Sequence, residues 1–291
     1  MPDDSSGMAS APSAGHQRAR ADARNDGAPA GGRPVPFRGG GFAPRPVGPI
    51  GVAVFVALIA FWEFGSRTGV ISQLVLPAPS EAFEAFRQLI ETGMLWKHLG
   101  VSLYRLIVGW VCGTALGISV GLMIGLSSLA RAALQPLVSA LFPIPKIALL
   151  PLFIIWFGIG EGSKVATILF GTFFPTVIAT YGGVDNVDRN LIRMGQSFGL
   201  AWASIVRKII IPGALPAILS GFRVSAAIAI VLLVAAEMIG AEFGVGAYIL
   251  MAGSLWAIDQ LIAGVALLSV MGLTFAWAIG RAEKALLGWR I

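Results

Sequence analysis

The segment from Val184 to Pro216 reads VDNVDRNLIRMGQSFGLAWASIVRKIIIPGALP. Asp188 is placed to cap a short helix, because its carboxylate can accept from the free N–H groups of a first turn. Gly199 interrupts that helix, a second resumes from Ala201 to Ile211, and Pro212 is expected to stop it. Arg189, Arg193, Arg207 and Lys208 make the segment basic. On either side lie apolar runs, Lys164 to Tyr181 and Ala214 to Ile239, each near the roughly 20 residues that cross a bilayer. About thirty residues is long for a connection between neighbouring helices. A helix–glycine–helix segment outside the lipid, with this much Arg and Lys, points to docking on another protein; a plain amphipathic surface helix satisfies the pattern equally.

Working outward, four more candidate spans appear: Pro49 to Gly65, Leu103 to Leu126, Leu129 to Gly158 and Leu261 to Gly280. The third of these contains Pro136, Pro143, Pro145 and Pro151, so it must kink or break against its neighbours. The expected fold class is all-α, a polytopic membrane protein with about six transmembrane helices over residues 49–291. Composition agrees: 56% of the 291 residues are hydrophobic and 12% charged, where a soluble domain carries roughly 25% charge. Residues 1–48 differ, being rich in Gly and Pro, without periodicity and with no apolar stretch long enough for a signal-peptide core; a disordered cytoplasmic tail is expected there.

Several function classes fall away. Cys112 is the single cysteine and lies within the apolar run, so no internal disulfide forms. The two histidines, His16 and His98, cannot build a His/Cys zinc site, and no metal is expected. The net charge of +6 is scattered along loops without interleaved aromatics, which argues for membrane topology and against nucleic acid. With residues 1–48 inside, fourteen basic residues fall on the cytoplasmic side, from Arg18 to Arg290 and including Arg131, Arg189, Arg193, Arg207, Lys208, Arg281 and Lys284. Arg67, Arg87, Lys97 and Lys164 fall opposite, so both termini are expected in the cytoplasm. On the outer side Ser80 can cap a helix that starts at Glu81, shares Phe83, Phe86 and Ile90 on one face, and closes at Gly93.

The Val184–Pro216 segment resembles the cytoplasmic loop of permease subunits in binding-protein-dependent ABC importers, which has the form E-A-A-x-x-x-G-x9-I-x-L-P. Gly199, Ile209 and Pro212 match; Ile211 stands where the family has Leu, and Arg193, Met194 and Gly195 stand at the E-A-A positions. That exchange of an acidic residue for a basic one bears on charge pairing with the ATPase groove. The blocks Gly93–Trp110, Phe142–Lys164, Pro212–Val224 and Val234–Ala241 are similar to the aliphatic sulfonate, taurine and nitrate branch, so the resemblance covers about residues 50–290. It implies a type I permease fold in the bacterial inner membrane, working as a homodimer among lipid. A cytoplasmic ABC ATPase would dock on a coupling loop at about 184–213, through Arg193, Met194, Gly195, Gln196, Ser197, Gly199, Ile209 and Pro212. Gly195 and Gly199 would permit close approach to that partner, and a periplasmic or extracellular solute-binding protein would deliver the substrate. ATP and Mg would sit on the ATPase, with no cofactor on this chain. The closest stretch to a phosphate loop, GIGEGSKV from Gly158 to Val165, has Ser163 where Gly should precede the Lys and Val165 where Ser or Thr should follow it.

Charges inside spans cost several kcal/mol unless paired or wetted, which makes each a functional candidate. Glu63 and Arg105 lie near outer ends and are expected simply to reach water. Lys146, after two prolines, lines an anion path or lies at the cytoplasmic interface. Arg223 and Glu237 share a span, fourteen residues and roughly 21 Å apart, so they cannot pair with each other. Arg223 is expected to anchor, and Glu237 to line an entrance or pair across a dimer. The substrate suggested by the resemblance is a sulfonate, taurine or nitrate; the alternatives are another solute of the same family, such as a pyrimidine or aromatic compound, and a self-sufficient secondary transporter.

Overall fold

The computed structural model describes residues 48–288. The tail expected over residues 1–48 lies outside them save for Gly48, as does Arg290. The chain divides into two units, Met1–Val56 and Ala57–Ile291. Helix α1, Gly48–Arg67, straddles the division, and the architecture below is that of the second unit. It continues with α2 (Pro79–Glu91), α3 (Met94–Leu126), α4 (Ser128–Leu141), α5 (Leu150–Phe157), α6 (Glu161–Asp185), α7 (Arg189–Ser197), α8 (Trp202–Ile205), α9 (Ile211–Met238), α10 (Val245–Ser254) and α11 (Ile258–Leu286). Among the described residues five helices are long and apolar enough to cross a membrane, and a bent pair, taken as one span, makes a sixth. That pair is α4 with Lys146–Phe157, turned through 92° at Pro143 and Pro145. The break predicted from four prolines falls where Pro143 and Pro145, on either side of Ile144, each remove a helix donor.

Helices α3 and α6 are locked together by a ridge of glycines. Gly109, Gly113, Gly117, Gly121 and Gly125 recur every four residues on one face of α3. A Cβ on each would stand within 2.9 Å of a side chain at Ile168, Thr172, Thr176, Thr180 and Val184, which recur every four residues on α6. Small residues at this spacing let two backbones approach closely, which is how helices gain packing energy where lipid offers no hydrophobic difference. The α6 threonines return their hydroxyls to their own helix: Thr172 Oγ1 to Ile168 O at 2.9 Å, Thr176 to Thr172 O at 2.8 Å and Thr180 to Thr176 O at 2.7 Å. Leu106, Ile168, Ala229, Leu232, Leu233 and Met271 then close a buried core among α3, α6, α9 and α11.

Two expectations are corrected. Pro212 does not end the second loop helix: Val206–Ile210 forms a π turn, and the helix runs on through Pro212 and Pro216 to Met238. A wider turn ahead of Pro212 accommodates the missing donor and the ring without breaking the chain's direction. Ser80 is not a cap either. Ala78 holds that position, its N–H donating to Glu81 Oε2 at 3.2 Å, while Ser80 Oγ donates to Glu63 Oε1 at 2.9 Å. The buried face of α2 is Ala82, Ala85 and Leu89 with Phe86 beside them, and Phe83 and Ile90 are exposed.

Candidate functional site

The two ends of the bundle carry two different sites. At one end α7 opens on Asp188, whose Oδ1 accepts from Asn190 N–H at 2.8 Å. It closes on Gly199, held at φ +69°, with Gly199 N–H donating to Gln196 O at 2.9 Å and Leu200 N–H to Gly195 O at 3.1 Å. This pair of bonds is the Schellman closure, and its left-handed residue strongly favours glycine. The chain then reverses into α8, so α7 and the α8–π segment form a tight helical hairpin. Gly195 is buried at its centre, where an added Cβ would lie 3.0 Å from Ile209 Cδ1. The close approach Gly195 permits is therefore inside the hairpin, a correction to the expectation that it faces a partner.

Ile205 and Ile210 are buried with Val184, Val187, Ala214 and Ile218, and Ile192 and Ile209 pack against them. The hairpin is thus fixed to the bundle by an apolar hinge. Arg193, Met194, Gln196 and Ser197 are exposed on its outer side, Ser197 Oγ donating to Arg193 O at 3.0 Å. Pro212 is half-buried where the segment joins α9. Phe198 and Trp202 are 78% and 65% exposed, unusual for large aromatics on a segment this basic. Beside α7 runs a groove of about 330 Å³ lined by Val187, Arg189, Ile192, Arg193, Gln196 and Ile210.

At the opposite end an ionic cluster is buried among the spans. Arg105 on α3, 2% exposed, donates through Nε and Nη2 to the two oxygens of Glu161, each at 2.6 Å. Its Nη1 donates to Glu237 Oε1 and to Phe243 O, both at 2.8 Å. Glu237 is 1% exposed and also accepts from Ser102 Oγ at 2.7 Å and from Gly246 N–H at 2.9 Å. Ser102 Oγ accepts in turn from Val245 N–H at 2.8 Å. Lys164, 2% exposed, donates to Ile159 O at 2.6 Å, Gly160 O at 3.1 Å and Gly240 O at 3.4 Å. Three spans and the 239–244 loop therefore meet in one network, in which Arg105 is paired with two carboxylates and the Lys164 ammonium is held by backbone carbonyls.

Arg105 does not simply reach water, as the sequence suggested; it joins two carboxylates. Glu63 does lie toward the surface, paired with Arg67 and Ser80. Glu237 has no free face. Arg223 forms an ion pair with Glu283 at 2.6 Å, tying α9 to α11. Lys146 donates to Leu141 O at 3.3 Å, to Phe142 O, and to Ile144 O at 2.8 Å, at the carbonyls where α4 ends. It also borders an apolar groove of about 480 Å³, lined by Phe142, Gly171, Pro175, Ala227 and Val231 halfway along the bundle. Ser102 and Glu161 escaped the sequence reading, and Lys164 entered it only as an outer-side charge. The available signal was Arg105 itself, one cation in an apolar run facing one acid, Glu237, in another.

Comparison with known proteins places this architecture. Residues 113–287 match the family described as the inner membrane component of binding-protein-dependent transport systems. A putative aliphatic sulfonates transport permease protein of Bacillus subtilis is 36% identical over 240 residues, which are 82% of this chain and 87% of that one. The taurine transport system permease protein of Escherichia coli is 34% identical over 245 residues, 82% of this chain and 89% of its own. A formylaminopyrimidine transport permease protein of Halalkalibacterium halodurans is 30% identical over 237 residues, 81% and 94% of the two chains. Among solved structures, an inward-facing methionine ABC transporter superposes with a TM-score of 0.55 at 20% identity, covering 64% of this chain and 93% of that one. An amino acid ABC transporter solved with histidines gives 0.55 at 19% identity, covering 68% and 97%.

Proposed function

The chain belongs to the family of inner membrane components of binding-protein-dependent transport systems, and from that membership we propose that it is the permease of an ATP-driven importer for a small organic sulfonate. The observation that supports this substrate class is the similarity to the aliphatic sulfonate and taurine permeases over four-fifths of the chain. In this reading the α7–α8 hairpin faces the cytoplasm and both termini lie on that side of the inner membrane. A separate ATPase, carrying ATP and Mg, docks on the hairpin. Arg193, Gln196 and Ser197 meet its polar rim, and Met194, Phe198 and Trp202 enter its apolar cleft.

The hairpin suits a lever because its two helices are fixed to each other at Gly195 and to the bundle at Ile205 and Ile210. Motion imposed on α7 passes to α9 along one continuous helix from Trp202 to Met238. A solute-binding protein delivers substrate at the Glu237 end, and two copies of the chain form the pathway among lipid. The groove bordered by Lys146 lies along that path, Arg223 braces α9 and Glu237 braces the outer end. The formylaminopyrimidine relative supports a second reading, a neutral pyrimidine as the solute. Proteoliposomes holding the permease with its cognate ATPase and binding protein decide between them. Uptake of labelled taurine that needs both ATP and the binding protein is expected; uptake of a pyrimidine with no taurine movement contradicts the substrate assignment.

A further inference from the structure

The two acids on Arg105 are held very differently. Glu237 has a fully buried side chain and takes hydrogen bonds from Ser102 and Gly246 besides Arg105. The Glu161 side chain is 51% exposed, and among the described residues its carboxylate is bonded by Arg105 alone. The α3–α6 contact that it spans is also packed along its length by the glycine ridge. Glu161 also follows Gly158 and Gly160 and borders a groove of about 340 Å³ lined by Arg105, Lys164, Ile159, Gly240 and Phe243. A half-exposed carboxylate thus occupies the open edge of a buried guanidinium in a cavity that also contains an ammonium.

We propose that this edge of Arg105 is an anion-receiving site at the outer mouth, which Glu161 fills when no substrate is present and a sulfonate head group takes over during passage. The assignment rests on the sulfonate reading above. A sulfonate offers two oxygens side by side to Nε and Nη2, as the Glu161 carboxylate does, and Arg binds such forks in bidentate fashion. The exchange swaps one negative charge for another, so Arg105 is never left buried and unpaired. Glu161 returns to water, where half of its side chain already lies, and Glu237 keeps Arg105 in place throughout. Lys164 adds a second positive charge to the cavity while its donors stay on Ile159, Gly160 and Gly240.

The test uses the permease–ATPase complex in lipid nanodiscs, without binding protein or nucleotide, and equilibrium binding of labelled taurine and methanesulfonate. Glu161→Gln removes the resident charge at an exposed position, and binding at least tenfold tighter than in the unaltered complex is expected. Adding Arg105→Lys to that variant is expected to abolish the gain, because an ammonium cannot offer the fork. Glu161→Ala repeats the measurement if the Gln chain assembles poorly, with thermal melting as the control. Sulfonate binding that Glu161→Gln and Glu161→Ala leave unchanged or weakened, in a complex that still takes up taurine, overturns the site and leaves the sulfonate reading intact. A complex that neither binds nor imports any sulfonate overturns both.

Discussion

Glu237 is the residue on which the end of the bundle depends most. It has no exposed surface to offer a solute, and each of its oxygens accepts from Ser102 and from one further donor. Removing one partner from a buried, hydrogen-bonded pair costs roughly 3–5 kcal/mol, because the other charge is left stranded. Glu237→Ala is therefore expected to lower the melting temperature of the solubilised protein sharply and to disorder the 239–244 loop. Glu84→Ala, which breaks only an exposed pair with Arg87 at 3.6 Å, is expected to shift stability by less than about 0.5 kcal/mol. Equal melting of the two variants contradicts the bracing role. The sequence singled out Glu237 and Arg223 because a charge in a span must have a partner. It could not name the partners, since Arg105 lies 132 residues from Glu237 and Glu283 lies on the last helix.

At the scale of elements, the α3–α6 contact depends on side chains that are absent. A Cβ at Gly117 would fall 2.7 Å from Thr176 Cβ and 2.9 Å from Phe173 O, neither of which can move without the helix backbone. Gly117→Leu is expected to abolish the folded protein, read as loss of the monodisperse peak and of protease resistance. Gly100, on the same helix, has nothing within 4 Å of an added Cβ. Gly100→Ala is expected to be tolerated or to stabilise by up to about 1 kcal/mol, since glycine is a poor helix former. A folded Gly117→Leu chain would show that the ridge does not set the packing. The four-residue period of these glycines was present in the sequence, but its meaning required knowing which helix faces it. Asp188 and Gly199 were legible as helix ends because capping is local. Pro212 misled because a π turn, which depends on how α8 meets the bundle, absorbs the cost that proline imposes on a regular helix. The face of α2 misled for a related reason: Ala82, Ala85 and Leu89, with Phe86 beside them, turn inward where α2 packs on α11, and Phe83 and Ile90 turn outward.

For the whole molecule, charge and connectivity agree on orientation. Arg131, Arg189, Arg193, Arg207 and Lys208 gather at the end that carries the hairpin, while the 240–258 loop at the other end has no basic residue. By the positive-inside rule this distribution supports the proposed cytoplasmic placement of the hairpin. Cys112 is the chain's only cysteine, so its replacement by Ala gives a background for labelling. A cysteine at Ser197 is expected to react with an impermeant maleimide only from the cytoplasmic side, and one at Glu242 only from the outside; the reverse pattern would invert the topology.

The role of the chain rests on the hairpin meeting an ATPase, and the most direct measurement is co-purification. The permease is expressed with its cognate ATPase, and residues 189–201 are replaced by a Gly-Ser linker of equal length. The glycine ridge meets the hairpin only at its Gly125–Val184 end, Ile205 and Ile210 are kept, and the Arg105 cluster lies at the opposite end of the bundle, so the altered permease is expected to stay folded. It is expected to purify without the ATPase, while the unaltered chain retains it in stoichiometric amount. Stoichiometric ATPase on the linker variant would contradict the coupling role assigned to this segment.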